Sequence, residues 1–182
     1  QDFDHSWWSL IELCFRDPEA TILYIFEDPV QAIFRDASSV PTDLPEFSVN
    51  ENLRNTQAIH EAASVFYEGD AFIPAGPPGE PVEYVMLAGD DRLPTELSRV
   101  LHRLIVEQHV RPEDIIVLSA RSRQSSVLTE SNRIGAFELV EVGDSAAGRV
   151  EFDSVWRFKG LERPVAVLVE FAPETSDQLR YT

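Results

Sequence analysis

The residues best suited to meet a phosphate group lie in one stretch, residues 154–170, SVWRFKGLERPVAVLVE. It holds the only lysine of the chain, Lys159, followed by Gly160, Leu161 and Glu162. Chemically this is a polar turn that leads straight into Val165–Val169, an apolar run with the composition of a strand buried in a parallel sheet. Gln31 stands just beyond another apolar run, residues 21–26, TILYIF. The carboxyl end of a strand is where ligands bind in open α/β sheets, and an amide can hydrogen-bond both a phosphate oxygen and an attacking water. Arg54 is one of three basic residues in the first ninety. Its guanidinium is always charged and can contact two oxygens at once, and in so acidic a stretch a salt-bridge role suits it as well. Arg121 and Arg123 follow the apolar run of residues 114–120, DIIVLSA, as either phosphate contacts or solvated, helix-capping arginines.

These residues need a frame. Residues 5–16 place Trp7, Ile11, Cys14 and Phe15 at helical spacing, and residues 21–26 form a strand buried on both faces. The Pro-, Ser- and Asp-rich residues 36–47 read as a linker, so a domain boundary is expected between residues 36 and 37. A short strand at residues 47–50 precedes a helix running to about Phe66, and residues 69–81, GDAFIPAGPPGEP, form a loop. Residues 82–87, VEYVML, form the next strand. Leu93, Leu97, Leu101 and Leu104 then mark the strongest helix, with Pro94 near its start and Pro112 beyond its end. The strand of residues 114–120 comes next, then a helix at residues 125–133 and short strands at residues 137–142 and 150–152. This alternation predicts an α/β fold with a mostly parallel, doubly wound sheet and right-handed crossovers.

Bulk properties bound the function. The 182 residues suffice for one domain plus a fragment of a neighbour, and the apolar share of 43% is ample for a core. The net charge of −17 argues against strong autonomous binding to nucleic acid, which needs a basic face. Residues 1–90 hold 17 acids and 3 bases, against 15 acids and 12 bases in residues 91–182, so any surface for a polyanion belongs to the second half. One cysteine, Cys14, excludes a disulfide framework and fits a reducing, cytoplasmic compartment. No apolar run reaches the roughly 18 residues of a membrane span. His102 and His109 have no metal-ligand spacing.

Three segments resemble, in order, motifs of the UvrD/Rep-type superfamily 1 helicases. FEDPVQAIF, residues 26–34, resembles the third motif, GDPxQxIY, with Glu27 at the usual glycine; NLRN, residues 52–55, resembles the fourth, NYRS, with Leu53 at the tyrosine. The stretch from Ser154 to Glu162 resembles the fifth, TxHxxKGLEF, with Trp156 at the histidine. The resemblance implies a RecA-like (P-loop NTPase) fold. Residues 1–36 would be the remnant of a first RecA-like domain, after Walker B and through motif III. Residues 37–182 would be a second one that stops at the sixth motif, of which QLRYT resembles the beginning.

It also implies roles. Gln31 and Arg54 would sense the γ-phosphate, and Glu162 would accept a hydrogen bond from the nucleotide ribose. Phe34, Arg121, Arg123, Ser154, Trp156, Lys159 and Gly160 would lie along single-stranded or partly duplex DNA. The implied activity is ATP-dependent 3′–5′ translocation or unwinding, with ATP and Mg²⁺ bound in the intact parent. No GxxxxGKS loop occurs in the chain, so no cofactor and no ATP turnover are expected of it without the first RecA-like domain. The alternative is a degenerate helicase-like domain serving as a protein-interaction platform, to which Glu27, Leu53 and Trp156 point. An unrelated α/β nucleotide-binding domain is the third possibility.

Overall fold

In the computed structural model, residues 5–17, 20–26, 44–67, 72–144, 147–172 and 175 are described, and every structural statement refers to these. The chain divides into two compact units, Gln1–Val82 with Arg180–Thr182, and Glu83–Leu179. The expected boundary between residues 36 and 37 lies outside the described residues.

The first unit contains helix α1 (His5–Glu12), a short parallel pair of strands β1 (Glu51–Asn52) and β2 (Ile73–Pro74), and helix α2 (Gln57–Ser64). Thr56 caps α2, its hydroxyl accepting the Ile59 amide at 3.3 Å. The next orphan donors of the helix start are met by the proline-rich loop. The Gln57 amide donates to the Pro77 carbonyl at 2.8 Å and the Ala58 amide to the Pro78 carbonyl at 3.1 Å. So close an approach requires glycine at position 76, where a Cβ would stand 2.0 Å from the Asn55 carbonyl oxygen.

The second unit is a mixed α/β structure built on a five-stranded sheet of order β4-β5-β6-β3-β7. The strands are β3 (Ile115–Ser119), β4 (Arg133–Ile134), β5 (Phe137–Val140), β6 (Val150–Ser154) and β7 (Val165–Val169). Only the β4–β5 pair is antiparallel. Every residue of β3 is buried, as a central parallel strand with both faces covered must be. Alternate residues feed two cores. Ile115, Val117, Val150, Phe152 and Val169 pack beneath helix α3 (Leu93–His102), which contributes Leu93, Leu97 and Leu101 at helical spacing. Ile116 and Leu118 pack on the opposite face with Val155, Trp156 and Phe158 of the one-turn helix α4 (Val155–Phe158). No helix among the described residues is long and apolar enough to cross a membrane.

The periodic helix, the central strand and the strands of residues 137–142, 150–152 and 165–169 stand where the sequence places them. Four expectations do not. Residues 21–26 and 82–87 form no strand, and Tyr24 and Met86 are left exposed. An apolar composition cannot by itself supply the partner a strand must pair with, and no described strand pairs with either segment. Residues 125–133 make turns instead of a helix because their side chains satisfy the backbone: Ser126 Oγ accepts the Leu128 amide at 3.1 Å. Residues 47–50 form no strand either; pairing begins at Glu51. Strand β7 is an edge strand, and Leu168 is 55% exposed on its open face.

These placements separate two substitutions of similar size. Leu101→Ala removes a fully buried side chain and is expected to lower stability by about 2–5 kcal/mol. Met86→Ala, at a side chain 92% exposed, is expected to change it by less than about 0.5 kcal/mol. Urea unfolding midpoints read both; an equal loss at the two positions would mean that residues 82–87 are packed as a strand after all.

Candidate phosphate-facing site at the carboxyl edge of the sheet

Strands β6, β3 and β7 run parallel, and their last residues come level in register: Ser119 of β3 pairs with Ser154 of β6 and with Val169 of β7. The chain leaves this edge through three turns, and those after β6 and β3 carry seven of the residues singled out from sequence: Ser154, Trp156, Lys159, Gly160, Glu162, Arg121 and Arg123. Ser154 ends β6 and caps α4, its hydroxyl accepting the Arg157 amide at 3.4 Å. Trp156 faces the apolar cluster of Ile116 and Leu118 rather than a polar partner. Lys159 closes α4, its amide donating to the Val155 carbonyl at 3.0 Å. Gly160 then turns the chain with φ +83°, the left-handed region that costs other residues roughly 1–2 kcal/mol. The Lys-Gly pair is therefore the stop signal of a short helix, which sets its main chain at the sheet edge. Glu162 is exposed further along the same crossover.

Arg121 and Arg123 follow β3. The Arg121 guanidinium lies between two carboxylates, Glu170 at 3.3 Å and Asp90 at 2.8 Å. Arg123 donates to the Phe152 carbonyl at 2.6 Å, lies 5.2 Å over the Phe152 ring and pairs with Glu141 at 3.4 Å. Arg54 is exposed in the first unit. Gln31 and Phe34 lie outside the described residues.

The sequence reading did not reveal the residues that hold this edge together. Glu151 and Asp153 alternate with Val150 and Phe152 along β6, so both point to the α4 face, and both are fully buried. Arg163 bonds the Glu151 carboxylate, to which the Gly143 amide also donates at 3.4 Å. Arg157 stands 3.4 Å from Asp153 and 3.4 Å from Glu141. Glu170, just past β7, adopts φ +61° and has a fully buried side chain. Its carboxylate accepts the Ser119 hydroxyl, the Arg121 guanidinium and, at 2.9 Å, the Val127 amide. The available signal was an acid recurring at alternate positions of an apolar strand, which demands a cationic partner somewhere in the fold.

Away from this edge, Arg103 pairs with Glu83, whose hydrogen bond and, after it, charge raise the guanidinium above its ordinary pKa. A cavity of about 330 Å³ lies beside α3, lined by Ser98, Arg99, His102, Glu107, Ala136 and Phe137. No family model matches this chain, and no curated protein matches it either.

The buried pairs carry a stability consequence. Arg163→Met strands the Glu151 carboxylate and is expected to cost about 3 kcal/mol, because an uncompensated buried charge keeps its full desolvation penalty. Adding Glu151→Leu is expected to recover most of the loss. Thermal unfolding of the single and double variants checks this; a double variant no better than the single would show that the pair is not the reason.

Proposed function

We propose that this chain is the second RecA-like part of a superfamily 1 motor that couples ATP hydrolysis to movement along single-stranded DNA. The observation that carries the reading is the placement of Ser154, Lys159 and Gly160 on one continuous turn at the carboxyl edge of a parallel sheet, where open α/β sheets bind their ligands. In this reading a hydroxyl, a point charge and a closely approaching main chain grip successive phosphates of the strand. The fivefold sheet with helices over both faces suits a RecA-like fold. Trp156 takes the place of a polar coupling residue and transmits displacement of α4 by packing, since it lies on the same apolar cluster as β3.

The nucleotide would be held jointly with a first RecA-like domain. By the resemblance, Arg54 would supply a bidentate cation for its terminal phosphate, Gln31 a hydrogen-bonding amide, and Glu162 a carboxylate for the ribose hydroxyls. ATP with Mg²⁺ provides the energy of the cycle; catalysis of phosphoryl transfer is chiefly positioning and charge stabilisation. Without a Walker A loop in these residues, steady-state phosphate release from the 182-residue chain is expected to equal background.

A second reading, a helicase-like platform for protein partners, is favoured by one observation. The arginines around the sheet edge are already engaged by Glu170, Asp90, Glu141, Asp153 and Glu151. Equilibrium binding of a labelled oligothymidylate separates the two. The motor reading expects binding at low salt, and loss of about 0.7 from the slope of log K against log salt in Lys159→Ala, one phosphate contact on a single strand. Salt-independent or absent binding, unchanged by that substitution, favours the platform.

A further inference from the structure

The two carboxylates on Arg121 are not equivalent. Glu170 is fully buried and fixed by three donors from β3 and the loop that follows it. Removing the guanidinium from it would leave a buried charge with less compensation, so that side of Arg121 stays in place. Asp90 is 56% exposed on a single 3₁₀ turn before α3, and meets the other guanidinium nitrogen, Nη2, at 2.8 Å. An exposed ion pair of this kind contributes little and exchanges readily. The guanidinium is thus anchored on one side and occupied on the other by an oxyanion that a stronger one can replace.

We propose that Arg121 is an exchangeable phosphate subsite, that Glu170 is its positioning residue, and that Asp90 is a built-in competitor that a phosphodiester of single-stranded nucleic acid displaces. The inference rests on the reading of the sheet edge as a nucleic-acid contact. Carboxylate and phosphate oxygens both accept a charge-assisted hydrogen bond from a guanidinium N–H, so a phosphate oxygen can take the place of the Asp90 oxygen on Nη2 without moving Arg121. The exchange matters because the chain is strongly acidic: a cation masked by its own carboxylate engages a polyanion only where other contacts hold it close.

The test uses the 182-residue chain and fluorescence anisotropy of a labelled oligothymidylate, with Asp90→Asn compared against Asp91→Asn. Both remove one exposed acid from the same turn, but Asp91 pairs with Arg92, at 3.6 Å, and not with Arg121. Asp90→Asn is expected to tighten binding about two- to five-fold and to steepen the salt slope by about 0.7. The gain is expected to vanish in the Arg121→Ala background, and Asp91→Asn to give a smaller gain that survives there. Glu170→Gln, which keeps a hydrogen-bond acceptor, should retain more of the Asp90→Asn gain than Glu170→Ala does.

Equal effects of the two acid substitutions, or a gain that persists without Arg121, would overturn the competitor. Wild-type binding with no response to Asp90→Asn would overturn it while leaving the motor reading intact; no binding by either protein would overturn both. An Asp90→Asn gain equally large for inorganic phosphate at matched ionic strength would assign the subsite to a free phosphate group and overturn the nucleic-acid assignment.

Discussion

Three fully buried carboxylates govern the second unit. Glu151 and Asp153 sit within β6, and Glu170 sits just past β7. A carboxylate removed from water costs several kcal/mol unless a cation and further donors meet it, and an attractive partner in a low-dielectric setting restores much of that cost. Here each acid draws an arginine from a different turn: Arg163 from the crossover, Arg157 from α4, Arg121 from the loop after β3. The sheet therefore dictates where its own loops lie. Lys159 and Gly160 fall between two such tethers, Arg157 and Arg163, which fixes the turn they make.

That arrangement shapes any interaction with a polyanion. Arginines that answer buried acids cannot all serve phosphates, and the acids beside them subtract from the local field. An edge whose arginines are shared with carboxylates suits modest, salt-sensitive contact rather than tight autonomous binding. A motor benefits from such contacts, because a strand gripped too firmly by one domain cannot be passed to the other. A platform for protein partners would instead draw on the apolar positions left open along β7, where Leu168 is exposed.

How much was legible in the sequence followed from the kind of interaction involved. Leu93, Leu97 and Leu101 announce α3 because helical periodicity is local, and the unbroken apolar run of β3 announces a strand covered on both faces. The carboxyl-edge position of Ser154, Arg121 and Arg123 followed from those strands. Residues 21–26 and 82–87 have equally apolar composition yet form no strand, since pairing depends on a partner that composition does not name. The serine-rich turn after Arg123 was misread as helix because Ser122, Ser125 and Ser126 satisfy their own neighbourhood. The acid–arginine pair of Glu170 and Arg121 joins residues 49 positions apart, beyond the reach of any local pattern.

The central claim is that the turn from Ser154 to Gly160 meets the backbone of a single strand. Amide hydrogen exchange, followed by mass spectrometry with and without oligothymidylate, tests it most directly. The account predicts added protection confined to peptides covering residues 154–161 and 119–123, fading as salt rises. Protection absent from those peptides, or found instead around the cavity beside α3, would contradict it.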